Sequence, residues 1–498
     1  MLSLTSALCL LSACMVGPNF QPDRMKLPKE FREAAEGHPA TPEEIERTNK
    51  EMLEWWSGFR DPLLTDLVQQ AIKGNYDLQI AAQRILGARA MRDKAASAWY
   101  PQFDVNAGGG DVRYSINIDN WPMRPGTRPQ HPGASMITYG ATASWEIDVF
   151  GRIRRSVEAS EQEVMASIEG RRALLMTLLN ELANDYMLLR VTQLQIKIAT
   201  DNIAVAKDSR DLANHLYAQG LGNTLQTAQA QAELDSQIAA REPLKTRVSQ
   251  VTHAISVLLG KMPGELEDQL KIVHPLPTIP EFPATLPSVV IANRPDIRQA
   301  EREYAVSMAQ IGVAVANLYP HFVVPLTFNP NASAVYQAFQ VNGMSWQFLL
   351  MATMPLFHGG KLTAEVRAAQ ATAEAARLTY RKTVLNAFRE VEDAMAAWHD
   401  DEEYAEQLHK ASDDTKLARD RARKLYGAGL IGFLDVLTAE RSTLVAQNQE
   451  ALARLERLRD AVNLYSALGA GWKGVALTSS TLPVSLETQN ILARTFRQ

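Results

Sequence analysis

The sequence predicts an α+β membrane protein made of two duplicated halves. Each chain contributes four strands to a trimeric, twelve-stranded transmembrane β-barrel, which is continuous with a long α-helical coiled coil. Three observations carry this prediction: a long-period internal repeat, two proline-poor helical rods, and runs of period-two hydrophobicity between them. Tyr217-Ala218-Gln219-Gly220-Leu221, running on to Leu225 and Ala230-Gln231-Ala232-Glu233-Leu234, returns as Tyr426-Gly427-Ala428-Gly429-Leu430, running on to Leu434 and Thr438-Ala439-Glu440. Trp99-Tyr100-Pro101-Gln102-Phe103 returns as Leu318-Tyr319-Pro320-His321-Phe322. Val149-Phe150-Gly151-Arg152 returns as Leu356-Phe357-His358-Gly359-Gly360-Lys361, and Leu259-Gly260 as Leu468-Gly469. The order is kept at an offset of about 210 to 220 residues, too long for a solenoid unit, so each half repeats helix, strands, long helix, turn, long helix.

The chain opens on a processing signal. Leu2 to Leu11 is mostly apolar but too short to span a bilayer as a helix. It ends in Leu11-Ser12-Ala13-Cys14, which resembles the bacterial lipobox and makes Cys14 the expected lipid-bearing first residue. The basic residues that usually precede such a run are absent from the sequence. Met15 follows Cys14, rather than the Asp that resembles an inner-membrane retention signal, so outer-membrane sorting is expected. The expected division is a signal peptide at 1–13, an N-terminal linker at 14–74, the first repeat at 75–262, a connector at 263–292, the second repeat at 293–473 and a C-terminal segment at 474–498.

Cys9 and Cys14 are the only cysteines, so cleavage before Cys14 leaves no pair for an intramolecular disulfide. No Cys/His cluster has metal-ligand spacing, and no metal or cofactor is expected. The formal charge of −5 and pI of about 6.1 argue against nucleic acid as a partner. No Gly-rich phosphate loop with its Lys is present, and no nucleophile–base constellation is recognisable, so no catalytic residue is assigned and the chain reads as a non-enzyme.

The first rod runs from Arg152 to Gln219 without proline, about 68 residues and roughly 100 Å of helix. Leu175, Leu179, Leu182, Tyr186 and Leu189 alternate spacings of four and three, a coiled-coil seam. The second rod, from about Lys361 to Leu425, carries Val384, Phe388, Val391, Met395 and Trp398 at the same spacings. Each ends in a glycine turn, Gly220–Gly222 or Gly427–Gly432, and a return helix follows. The predicted helical hairpins span about 152–261 and 361–470. A non-conducting coiled-coil envelope protein is the alternative that these rods alone leave open.

The strands argue against that alternative. Ile137, Tyr139, Ala141, Ala143, Trp145, Ile147 and Val149 alternate with polar residues over a length able to cross a bilayer. Tyr139, Ala143, Trp145 and Ile147 are therefore expected to face lipid. Phe103, Val105 and Ala107 are odd-numbered, whereas Val112, Tyr114, Ile116 and Ile118 are even, and the parity change across Gly108-Gly109-Gly110 predicts a bulge. Expected strand bounds are 102–118, 136–149, 321–328 and 345–356, with loops over Asp119–Gly133 and Asn329–Gly343. Four strands cannot close a barrel, and an open edge cannot face lipid, so edges pair between subunits and three subunits give twelve strands.

With these residues in place the chain resembles the outer-membrane efflux protein family: TolC-like channels, particularly the lipoprotein branch that includes OprM and NodT-type proteins. The resemblance covers nearly the whole mature chain. It rests on Cys14 with Val16-Gly17-Pro18-Asn19-Phe20, on Trp55-Trp56 with Phe59 and Asp61-Pro62-Leu63, and on both Tyr-Pro pairs. It rests also on Asp148-Val149-Phe150-Gly151, on Asn293-Arg294-Pro295-Asp296-Ile297 and on the two Gly-Leu turns. The resemblance implies a homotrimer anchored by lipid in the outer membrane, with its helical tunnel in the periplasm. It implies an equatorial belt from roughly 20–70, 262–290 and 474–498, and partnership with an inner-membrane pump and a periplasmic adaptor. By motif position, Leu434, Asp435 and Thr438 match a periplasmic constriction, with Leu225 as the counterpart on the first hairpin. Relatives often carry Asp where Thr438 stands, and some carry Asp where Gln226 stands, so the acidic ring here is expected to be thinner. The tips Gly220-Leu221 and Gly429-Leu430 are expected to dock the adaptor. The function implied is a passive exit duct for small molecules, with type I protein secretion as the alternative within the channel class.

Overall fold

Where the period is two, the chain forms a single antiparallel sheet. The computed structural model describes residues 15–23, 25–26, 28, 31–32, 50, 52–113, 133–280, 290, 293–329, 331–332, 340, 344–473 and 475. The expected lipidation site Cys14, strand positions 114–118 and the segment 476–498 lie outside them. The described chain forms two compact units, and each draws segments from both halves of the repeat.

One unit comprises Met1–Asp23, Ile85–Ala166 and Ala300–Tyr380. Its strands are β1 (Gln102–Arg113), β2 (Gly133–Ile147), β3 (His321–Phe328), β4 (Asn331–Ala332), β5 (Trp346–Phe348) and β6 (Met351–Thr353). The sheet order is β1-β2-β3-β5, with β4 on β2 and β6 on β3, all antiparallel. The register sets apolar positions opposite one another across every ladder. Phe103 faces Ala143 and Val105 faces Ala141. Ala143 faces Leu326 and Trp145 faces Val324. Leu326 faces Phe348 and Phe322 faces Ala352. Because side chains alternate strictly along a strand, these residues share one face of the sheet.

Three expectations are corrected here. The ladder between β1 and β2 runs from Gln102↔Ser144 to Arg113↔Gly133 with no extra residue, so the bulge at Gly108–Gly110 is absent. Glycines carry no side chain, so a change in apolar parity across them requires no shift in pairing. The strand expected over 345–356 is instead two short pieces, β5 and β6, in one register against β3. The break lies opposite Pro325, which has no N–H to give; Leu349 N–H still reaches the Pro325 carbonyl at 3.2 Å. The strands also end sooner than expected, at Ile147 and Thr353.

In the same unit, residues 15–23 form a strap. Val16 N–H donates to the Phe150 carbonyl at 3.2 Å. The buried Arg155 guanidinium donates to the carbonyls of Val16 and Gly17 and to Asn19 Oδ1 at 2.7 Å. Phe20 meets Tyr304 edge-on at 5.3 Å, and Asp23 pairs with Arg377 at 2.9 Å. A Cβ on Gly312 would lie 2.6 Å from Arg155 Cδ, so glycine is needed there to seat the arginine.

The second unit comprises Arg24–Arg84, Ser167–Gln299 and Arg381–Gln498. Among the described residues the α-helices of both units, in chain order, are α1 (Pro62–Gly74), α2 (Tyr76–Ala96), α3 (Arg152–Ala218), α4 (Thr224–Leu258), α5 (Glu267–Leu270), α6 (Pro295–Ala316), α7 (Lys361–Gly427) and α8 (Phe433–Ala467). The rods α3 and α7 are each 67 residues long. The two seams expected from the sequence meet in one core: Leu175, Leu179, Leu182, Tyr186 and Leu189 are buried there with Val391 and Met395, and Phe388 and Trp398 pack against them; Val384 is buried outside that cluster.

The short motifs act as staples in this unit. Trp55 stacks on Tyr465 at 5.7 Å. Asp61 caps α1 and accepts the Tyr186 hydroxyl at 2.6 Å, and burial together with that carboxylate pushes the phenol pKa up. Arg294 donates to the Ala467 carbonyl and pairs with Asp296 and Glu390, each at 2.7 Å. Among the described residues no helix is long and apolar enough to cross a membrane.

Candidate functional site

Both rods end in the same backbone device. Gly220 (φ +71°) donates to the Tyr217 carbonyl at 3.0 Å, and Leu221 to Leu216 at 2.9 Å. Gly429 (φ +72°) donates to Tyr426 at 2.9 Å, and Leu430 to Leu425 at 3.0 Å. These are paired Schellman closures, and their left-handed residue favours glycine. They leave Leu221 and Leu430 74% and 70% exposed at the tips.

The return helices start differently. Asn223 caps α4 in a reciprocal box with Gln226. At α8 the cap is Gly432, whose N–H donates to Asp435 Oδ2 at 3.0 Å. The carboxylate expected in a ring therefore satisfies an orphan amide and opposes the positive end of the helix. Thr438 donates its hydroxyl to the Leu434 carbonyl at 2.8 Å. Leu434, Asp435 and Thr438 share one exposed face of α8, whereas Phe433, Val436, Leu437 and Glu440 are buried on the other. Leu225 and Leu434 are alike in exposure, 63% and 64%.

The buried face ties the hairpins together through a cluster that sequence reasoning missed. Ala213, Ala230, Tyr426, Phe433, Val436 and Leu437 form a small core. Beside it Ser209 donates to Glu440 at 2.5 Å, and Arg441 pairs with Glu233 at 2.8 Å. Burial pushes the Glu440 carboxyl up, opposed by the Ser209 bond and Arg423 and reinforced by Glu233. In sequence Glu233 and Glu440 look like solvated helix positions; their burial follows from hairpin pairing, which no local signal encodes.

In the sheet, the register sets Tyr139, Ala143, Trp145 and Ile147 on one face, continuous with Phe103, Leu326 and Phe348. Beyond β2, Arg152 forms a two-point pair with Glu146, and Asp148 accepts the Arg154 N–H at 2.8 Å, fixing the step from strand into α3. No group of three or more metal-type side chains occurs among the described residues.

The family model described as outer membrane efflux protein matches residues 67–261 and 286–470. The chain belongs to the outer membrane efflux protein family. It is accordingly a transport protein of the outer membrane. The chain is 28% identical over 471 residues to Nodulation protein T of Rhizobium leguminosarum bv. trifolii, covering 94% of this chain and 96% of that protein. It is 26% identical over 465 residues to the cation efflux system protein CusC of Escherichia coli O6:H1, covering 93% and 97%. The solved outer-membrane channel OprN superposes with a TM-score of 0.83 at 32% identity, over 92% of this chain and 100% of that one. Members of this family are channel proteins, which agrees with the non-enzyme reading.

Proposed function

We propose that the chain is the outer-membrane duct of a tripartite efflux system, a passive exit for small molecules delivered by an inner-membrane pump and a periplasmic adaptor. The observation that carries this reading is the sheet. One face carries an apolar band across all its strands, while Glu146 shares the other face with polar residues and with Val323 and Met351, and β1 and the β5/β6 strand are its outermost members. A four-stranded sheet with such a face and two edges is not stable alone in lipid; three copies joined edge to edge make a closed twelve-stranded barrel. Tyr139, Ala143, Trp145 and Ile147 then face lipid, while Thr142, Ser144 and Glu146 face the aqueous lumen.

Placement supports the rest of the reading. Met15 packs against Gly151 just past β2, so a lipid on the preceding Cys14 would sit at the membrane edge of the barrel. The exposed Leu221 and Leu430 offer shallow apolar tips to an adaptor. Leu434, Asp435 and Thr438, repeated around a threefold axis, would make an apolar constriction with an acidic ring that favours cations.

Two measurements test the reading. Purified protein added to planar bilayers should conduct, and native mass should be that of three chains. Ala143→Arg should cost about 2–4 kcal/mol per subunit and abolish the heat-resistant trimer, whereas Ser144→Arg should leave it intact. Equal loss from both would show that the lipid-facing register is wrong. A lipid-modified Cys14 should appear in the mass spectrum of the mature N-terminus.

A further inference from the structure

Of the four hairpin helices α3, α4, α7 and α8, α4 alone carries an interior proline, Pro243, near the middle of its 35 residues. Proline has no N–H, so the Ala239 carbonyl loses its helical donor, and the ring crowds that same carbonyl. The turns that follow are softened again. Thr246 donates its hydroxyl to the Glu242 carbonyl at 3.5 Å, and Ser249 to the Lys245 carbonyl at 3.4 Å. Back-bonds of this kind bend helices. Glu242 pairs with its neighbours Arg241 and Lys245 on the surface, where ion pairs stiffen a helix little.

Packing does not compensate. Within the chain no residue of 238–250 is buried. In the matching stretch of α8, residues 447–459, Glu450, Ala451, Ala453, Leu455, Arg457 and Leu458 are all buried, and Leu452 stands where Pro243 does. The two ends of α4 are held by different neighbours. On the tip side Ala230 joins the small core with Tyr426 and Phe433 of the second hairpin. Glu233 pairs there with Arg441 at 2.8 Å and accepts from Gln237 at 2.7 Å. On the base side Val251 and Ile255 belong to the main core, with Val248 and Leu258 packed against it.

We propose that Pro243 is a joint, dividing α4 into a tip-side half that moves with the second hairpin and a base-side half that stays with the main core. A helix bends where its ladder is broken and its side chains are least held. A shift of α8 would then carry residues 224–237 with it through Arg441 and the small core, while residues 251–258 stay seated. The first tip could retilt without disturbing the base of its own hairpin. The joint belongs to α4 itself and holds whether or not the chain conducts.

Double electron–electron resonance on the full-length protein in detergent tests this. Spin labels on Ser236→Cys and Gln250→Cys bracket the proline, and labels on Ser442→Cys and Glu456→Cys bracket Leu452. All four positions are exposed in the chain, and each pair is about 21 Å apart along a straight helix. The α4 pair should give a distance distribution at least twice as wide as the α8 pair. Pro243→Ala, which restores the N–H with a better helix former, should narrow it to the width of the α8 pair. A third pair, at Ser236 and Glu456, should be as narrow as the α8 pair, because both sites ride on the second hairpin. Equal widths for the α4 and α8 pairs overturn the joint, as does a wide α4 distribution that Pro243→Ala leaves unchanged. A third pair as wide as the α4 pair overturns the coupling to the second hairpin.

Discussion

The two hairpin tips share a backbone and differ in almost everything attached to it. Tyr217 and Tyr426 occupy the same place before their glycines, yet Tyr217 is 48% exposed and Tyr426 is 6% exposed. The difference traces to the residue that opens the return helix. Thr224 is exposed, whereas Phe433 is buried and meets Tyr426 at 5.4 Å between centroids. The second tip therefore has an aromatic staple, an anionic cap at Asp435 and a buried Glu440. The first has a neutral Asn223–Gln226 box and an exposed Gln231 at the place equivalent to Glu440. A duplicated turn has thus been kept as geometry and divided in chemistry: one tip is stapled and charged, the other polar and open.

The largest test of this contrast removes the staple. Phe433→Ala should cost about 3–5 kcal/mol of local stability, while Thr224→Ala should stay within about 0.5 kcal/mol. Hydrogen exchange of the amides on either side of each tip would register the asymmetry, and equal deprotection of both tips would end the comparison.

Acidity should separate the hairpins next. Glu440 holds its proton more tightly when folded than when unfolded, so its contribution is intact at low pH. It is lost as pH rises from the ordinary carboxylate range through the raised folded value. Arg423, Arg419 and Arg441 on one side and Glu233 and Asp208 on the other set the local field. Protection of α8 amides near Glu440 should accordingly be greater at pH 5 than at pH 8, and Glu440→Gln should flatten that slope. The Asp460 carboxyl, raised by burial and by neighbouring Asp401, behaves in the same sense: Asp460→Asn should stabilise the chain most above pH 7, as urea midpoints at two pH values would reveal.

The caps come next. Asp435→Ala should cost about 0.5–1 kcal/mol through the lost helix cap, and in a bilayer it should also lower cation preference. Gln226→Ala should do less on both counts. Leu434→Ala, on the exposed face, should leave stability alone and raise resting conductance; single-channel recording under a salt gradient reads both effects.

Smallest of all is the buried hydroxyl. The Tyr426 hydroxyl has no hydrogen-bond partner among the described residues. Tyr426→Phe should therefore be neutral or stabilising by up to about 1 kcal/mol, and Tyr217→Phe silent in the same thermal melts.

Much of this was written in linear pattern. Local rules fixed the rods, because Leu175 to Leu189 and Val384 to Trp398 keep a seam whatever surrounds them, and the Gly-Leu turns, because a left-handed closure favours glycine at Gly220 and Gly429. Period two gave the lipid-type face of β2. The chain alone misread Gly108–Gly110, since side-chain parity does not reveal pairing register, and it missed that Pro325 interrupts the neighbouring strand, since the missing donor belongs to one strand and the gap to another. It also presented Asp435 as a ring residue only, although the same carboxylate caps its own helix.

Tertiary structure alone decided which charges are buried. Glu233, Glu440, Arg155 and Asp460 are unremarkable in sequence, and each acquires meaning only when elements far apart in the chain close over it. Hydrophobic period and turn chemistry act between neighbours, so residue order records them. Burial, pairing register and the field at a carboxyl depend on what arrives from elsewhere, and only the folded chain brings those groups together.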